Sequence, residues 1–267
     1  MSNPDLSMNI QQRLGTATWG NGGNMLQFIS SMQLVSVGRG NGLQIFDMKT
    51  GLPHSSWVAP NEDLCVFAAP ETDRFFVGGS FGIMYTIERH GETWDLIEER
   101  EILSYFDCLA YSLKRDLVAV SCFDKLCLMP GSGKENLAYV EFGRERIQSI
   151  NWNDSLNAFF VVTSKSISLI SAAGERTIVA SFDERVLAAA YADQGARIVS
   201  FIETRENQGT LSSASMANPR QSDWEKVFVV DDQFVGPMTN EYREGAIVIS
   251  EAENTILCLG LINGSGD

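Results

Sequence analysis

Apolar positions along this chain fall into short strings separated by polar turns, and the strings recur. Six share one form, a β-branched or aromatic run, a polar turn, and a weaker second run. They are LVSVGRGNGLQIFD from Leu34, FFVGGSFGIMYTIE from Phe75, LVAVSCFDKLCLM from Leu117, FFVVTSKSISLIS from Phe159, IVSFIETRENQGTL from Ile198 and IVISEAENTILCL from Ile247. Their starts lie 41, 42, 42, 39 and 49 residues apart. Runs of this length bounded by Gly, Asn, Asp and Ser predict strands joined by hairpins, because those residues supply left-handed backbone or local hydrogen bonds at a turn. Upstream of each string from the second onward lies a further run: LCVFAAPETDR, FDCLAYSLKRD, IQSINWNDSLN, VLAAAYADQGA and VGPMTNEYREG. After the second, third and fourth strings come a polar hairpin and another run, in ERHGETWDLIEER, PGSGKENLAYVEF and AAGERTIVASF. Each period therefore predicts four antiparallel strands, termed a to d.

Four short strands repeating every 40 to 45 residues are the signature of β-propeller blades. The expectation is an all-β, six-bladed propeller filling residues 1–267, with blades at 15–60, 61–101, 102–143, 144–183, 184–231 and 232–262. The last period runs out after strand c, so a strand at 5–14 is expected to complete it, closing the ring and covering an open sheet edge. One segment reads two ways. From Asp95 to Asp116 the apolar residues Ile97, Ile102, Leu103, Phe106, Leu109, Ala110 and Leu113 approximate a helical stripe. The repeat register instead makes Ser104–Ser112 a strand a, and that reading is the one adopted.

Charge and cysteine usage narrow the function classes. With 34 acidic against 20 basic side chains the net charge is −14, which repels phosphate backbones and anionic lipid, so no nucleic-acid or membrane partner is expected. Five scattered cysteines in apolar strings read as reduced core residues. The N-terminus has neither a basic leader nor an apolar core, and a cytoplasmic protein is expected.

The stretch Leu43–Gly51, LQIFDMKTG, resembles the end of strand c and the following turn of WD-repeat propellers, with Phe46 and Asp47 where that family has Trp and Asp. Gly79-Ser80 stands at the expected end of a strand b. The family's Gly-His dipeptide is absent, and only the first blade carries the aspartate well.

Catalytic constellations are scarce. Two histidines, His54 and His90, fall in predicted c–d hairpin loops and cannot build a triad or a multi-histidine metal centre. Gly131-Ser132-Gly133-Lys134 has Leu128 and Glu135 where a phosphate-binding loop needs glycine and a hydroxyl. Gly38, Gly40 and Gly42 do not match the dinucleotide fingerprint, and Asn41-Gly42 reads as a hairpin turn. Cys108, Cys122 and Cys127 could lie near one another and bind a soft metal, but no histidine is near to complete the shell, and unrelated buried thiols are the reading adopted. Lactonase-like propellers hold a divalent cation in the tunnel, but only Asn151, Asn153 and Asn240 offer candidate ligands here, and hard cations favour anionic oxygen. Gly91-Glu92-Thr93-Trp94 partly matches the Asp-box turn of sialidase-like sugar binders; packing of Trp94 at the start of an outer strand, with Trp57 and Trp224 in corresponding places, is the simpler account.

The reading that remains is a non-catalytic interaction scaffold or assembly subunit with no cofactor, no metal and no catalytic residue; a metal-dependent hydrolase or a sugar-binding propeller is the alternative. Its partners would be proteins, among them ones with a basic surface. Candidate contacts are the d–a linkers, which gather at one face: Asn61, Glu62, Asp63, Arg144, Arg146, Arg185, Asp231 and Asp232. The long fifth interval places an insertion in Glu203–Asp223, expected as a lengthened b–c hairpin turning at Asn207-Gln208-Gly209.

Overall fold

The computed structural model describes residues 26–30, 33–38, 42–47, 49–60, 64–68, 73–132, 138–192, 197–205, 208–217, 225–230, 244–250 and 255–261. The chain divides into two compact units, 1–106 and 107–267, and every regular element among the described residues is a β-strand.

The first unit holds two four-stranded antiparallel sheets. One contains β1 (Leu26–Ser30), β2 (Gln33–Gly38), β3 (Gly42–Asp47) and β4 (Pro53–Trp57); the other contains β5 (Leu64–Ala68), β6 (Arg74–Gly79), β7 (Ile83–His90) and β8 (Thr93–Glu101). The second unit continues with β9 (Cys108–Ser112), β10 (Leu117–Cys122), β11 (Lys125–Pro130) and β12 (Ala138–Glu141). A fourth sheet follows with β13 (Ile147–Asn153), β14 (Ala158–Thr163), β15 (Ser166–Ser171) and β16 (Arg176–Ser181). The fifth has β17 (Arg185–Ala192), β18 (Arg197–Arg205), β19 (Gln208–Ser215) and β20 (Glu225–Val230), and β21 (Glu244–Ser250) pairs with β22 (Thr255–Leu261). Strands are paired in chain order within every sheet, as up-and-down blades require. The first five repeat strings are the middle hairpins b–c of their sheets.

Burial explains why the strings are so apolar. All six residues of β14 are buried, because each face of the strand meets a neighbouring sheet. Phe159 and Val161 join Leu117, Ala119, Leu126 and Leu128 of the third sheet. Phe160 and Val162 turn the other way, to Val186, Ala189 and Ile198 of the fifth. Alternate residues of one strand thus enter two different cores, and a strand buried on both sides has no polar face to show. In the first unit Leu43 and Ile45 pack in the same manner against Phe75, Val77, Tyr85 and Ile87.

A second regularity is invisible in the strings. In four of the five four-stranded sheets the a–b pairing carries a register shift, between Phe28 and Ser30, Leu64 and Val66, Ile147 and Ser149, and Val186 and Ala188. The c–d pairings of the same sheets shift as well, the outer strands gaining His54, Ile97, Val179 and Val227. Such bulges increase strand twist and spoil the outer edge as a template for another strand. The third sheet carries neither, and its outer strand β12 is only four residues long.

Several expectations are corrected. The segment with a helical stripe is β8, a linker and β9, and strand a begins at Cys108 rather than Ser104. His54 lies in β4 and His90 ends β7, so neither is in a loop. Trp57 ends its strand whereas Trp94 lies near the start of its own, so the two do not correspond; Trp57 is tilted against Tyr85 and Trp94 stands edge-on to Phe75. The fifth hairpin returns within Arg205–Gln208, and Gln208 and Gly209 belong to β19. Longer paired strands, not a longer turn, absorb part of the insertion there. The last sheet has two strands among the described residues, and β21 runs beside β17 as β13 runs beside β9, the place of an innermost strand. The expected closing strand 5–14 and the run VGPMTN lie outside the described residues.

Candidate interaction face

Among the described residues, the b–c turns and the d–a linkers lie at the same end of their sheets, and backbone hydrogen bonds bind them together. In the second unit the linker leaves β12 with Phe142 N donating to Asp124 O at 2.7 Å, and enters β13 with Ile147 N donating to Phe123 O at 2.7 Å. The next linker repeats this: Phe182 N reaches Lys165 O at 2.8 Å and Val186 N reaches Ser164 O at 2.9 Å. Phe142 and Phe182 are buried under their linkers and anchor them. The first unit shows the same clasp where Ile102 N donates to Gly82 O at 3.0 Å.

Side chains reinforce the clasps. Asp107 accepts from Phe123 N at 2.6 Å through one carboxylate oxygen and from Arg146 Nη2 at 2.6 Å through the other. Its side chain is 6% exposed. The guanidinium of Arg146 stands 5.9 Å from the centre of the Phe123 ring, within reach of a cation–π attraction. One linker further on, Glu145 accepts from Thr163 Oγ1 and, at 2.6 Å, from Ser166 Oγ, both buried hydroxyls. Lys165 Nζ donates to the carbonyl of Asp183.

Phe123 itself has φ +51°, and the residue is 55% exposed. Left-handed backbone is rare for a bulky residue and costs of order 1–3 kcal/mol. The other non-glycine residues in this region among the described ones, Asp116 and Asn157, have the short polar side chains that tolerate it.

No known protein family matches the chain, and no curated protein does. Its fold is shared with 1410 solved chains, too many for the fold to single out a ligand. One of them, in a structure described as "Crystal Structure of Mitotic Checkpoint Complex", aligns over 87% of this chain and 72% of its own, with a TM-score of 0.62 and 12% identity. At that identity the likeness speaks for the fold, and together with the antiparallel sheets it makes this a β-propeller-like protein.

Of the expected contact residues, Arg144 is exposed and Arg146 is half-buried in the linker before β13, while Arg185 opens β17 at the next linker. Asn61, Glu62, Asp63, Asp231 and Asp232 lie outside the described residues. The three-sulfur idea fails on register. Cys108 opposes Ser121, whereas Cys127 opposes Val120 on the face that Cys122 shares, so Cys108 points to the opposite side of the sheet. Among the described residues no three His, Cys, Asp or Glu side chains converge on a metal position. Asn153 spends its Oδ1 on the amide of Leu156 in the a–b turn; Asn240 lies outside the described residues.

Sequence reading missed Asp107, Phe123 and Glu145. A signal existed for Phe123: aligned by repeat, Phe81 and Phe123 occupy the same place in SFG and CFD, and Phe81 is also exposed, at 68%.

Around Asp47 the stretch Leu43–Gly51 ends in a hydrogen-bonded turn. Asp47 Oδ1 accepts from Lys49 N at 2.7 Å and Thr50 N at 2.9 Å, and Gly51, at φ +69°, donates back to Asp47 O. The amide of Thr50 foremost holds the Asp47 carboxyl below its ordinary 3.8.

Proposed function

We propose that this chain is a non-catalytic interaction scaffold, a cytoplasmic WD-repeat-like propeller of six blades whose N-terminal segment 5–14 adds an outer strand to the last blade. The observation that carries the reading is the clasped end of the second unit. Linkers tied to the preceding hairpin at both flanks hold Arg144, Arg146 and Arg185 on a scaffold that deforms little, which is what a docking surface needs and what a mobile loop cannot give. Membership of a complex in the structure of similar fold is compatible with the same role. Proteins are the partners in this reading, and nucleic acid and membranes are not.

The test is cross-linking mass spectrometry on the protein purified with its bound partners from its native source. Stoichiometric cross-links to residues 61–63, 144–146, 183–185 and 231–232 are expected, and charge reversal at Arg144 should change the salt dependence of the association. One tightly bound divalent cation per chain by elemental analysis, with turnover of a lactone, would replace this reading with the hydrolase.

A further inference from the structure

At the turn between β10 and β11 an aromatic ring is held outward at a cost to the backbone. Phe123 occupies a left-handed conformation, yet its amide, its carbonyl and its ring are each engaged: by Asp107, by the Ile147 amide and by Arg146. Strain of this kind persists only where surrounding structure over-determines it, and it concentrates at sites of function. Turns of two residues are readily built with Asn or Gly, so folding alone does not ask for phenylalanine here.

The charges around the ring are sorted. The carboxylates of Asp107 and Glu145 turn inward, onto Arg146 and Phe123 N in one case and onto buried Thr163 and Ser166 in the other. Arg144 is exposed and the side chain of Arg146 is 41% exposed, while exposed Lys125 stands directly across from exposed Glu141 in the β11–β12 pair. Asp124 and Glu141 border the patch without forming an ion pair among the described residues. In a chain of net charge −14, a rigid aromatic ring flanked by outward-facing cations complements an acidic ligand.

Resting on the scaffold reading above, we infer that Phe123 is a preorganised anchor for an acidic linear segment of a partner protein, which lays a large apolar side chain on the ring and carboxylates against Arg144 and Arg146. A rigid aromatic loses little entropy on binding, and buried aromatic and arginine contacts dominate interface energetics.

Two substitutions separate this role from a structural one. Glycine adopts the left-handed region freely and asparagine tolerates it, so Phe123→Gly and Phe123→Asn should not lower the melting temperature of the full chain. The probes are short fluorescent peptides with one central tryptophan among Asp and Glu, and counterparts with Lys in place of every acid. Fluorescence anisotropy should show the acidic peptides binding and the basic ones not, with affinity falling about tenfold or more in both Phe123 variants and in Arg144→Glu. Unchanged binding in the Phe123 variants, preference for the basic peptides, or a lower melting temperature in both variants would each overturn the anchor. Were the purified assembly to cross-link at the linkers while Phe123→Gly left its partner bound at unchanged affinity, the anchor would fall while the scaffold stood; a bound catalytic metal would remove the scaffold itself.

Discussion

The hairpins of the second and third sheets turn on the same pattern, Ser80-Phe81-Gly82 in one and Cys122-Phe123-Asp124 in the other, and distribute the difficulty differently. In the first unit Gly82 takes the left-handed position, at φ +78°, and Phe81 does not. A Cβ on Gly82 would lie 1.5 Å from Leu103 O, because the following linker crosses directly over it. In the second unit the aromatic residue takes that conformation and an aspartate from the preceding linker secures it. The glycine turn is built for close passage of the chain. The phenylalanine turn is built to present a side chain.

The contrast can be broken most severely at Gly82. Gly82→Ala imposes both left-handed strain and a collision with backbone that cannot move independently, and should cost about 3 kcal/mol or more, read as a lower denaturation midpoint in urea. At the other turn, Asp107→Ala leaves the Phe123 amide and the Arg146 guanidinium without their acceptor, and should cost about 1–3 kcal/mol; Asp107→Asn should recover part of that loss. A stability equal to the parent in Asp107→Ala would mean that the aromatic turn does not depend on its clamp. Smallest is the effect of acid on a third turn, at Asp47. Its carboxyl is held below 3.8 in the folded chain, so the stabilisation is complete above the ordinary aspartate range and is lost as pH falls through the lower folded value. The amide proton shifts of Lys49 and Thr50 should therefore titrate together with a midpoint below 3.8, and Asp47→Asn should abolish that titration.

What could be read in the sequence follows from how local its causes are. A strand buried on both faces must be apolar at successive positions, and its turn must be polar, so strings such as FFVVTSKSISLIS announce their hairpins. The bulges at Gln148 and Val179 are not announced, since they depend on which residue of a partner strand stands opposite. Neither is Asp107: its partners Phe123 and Arg146 are 16 and 39 residues away, and nothing in FDCLAYS distinguishes a clamp from a solvated turn. The misplacement of His54 and of the Asn207 turn has the same origin, as strands continued past residues that composition assigns to loops. Phe123 was within reach through its alignment with Phe81, but only the backbone angle shows that the two differ.

The paired hydrogen bonds at each linker also bear on how the chain could be opened. Gly143 and Arg144 are exposed, and an added Cβ at Gly143 meets nothing within 4 Å. On either side, Phe142 is fastened to Asp124 and Ile147 to Phe123. A protease that cut between Gly143 and Arg144 would release neither flank, because each new end is already moored to the hairpin behind it. The nicked molecule should elute and melt as one body.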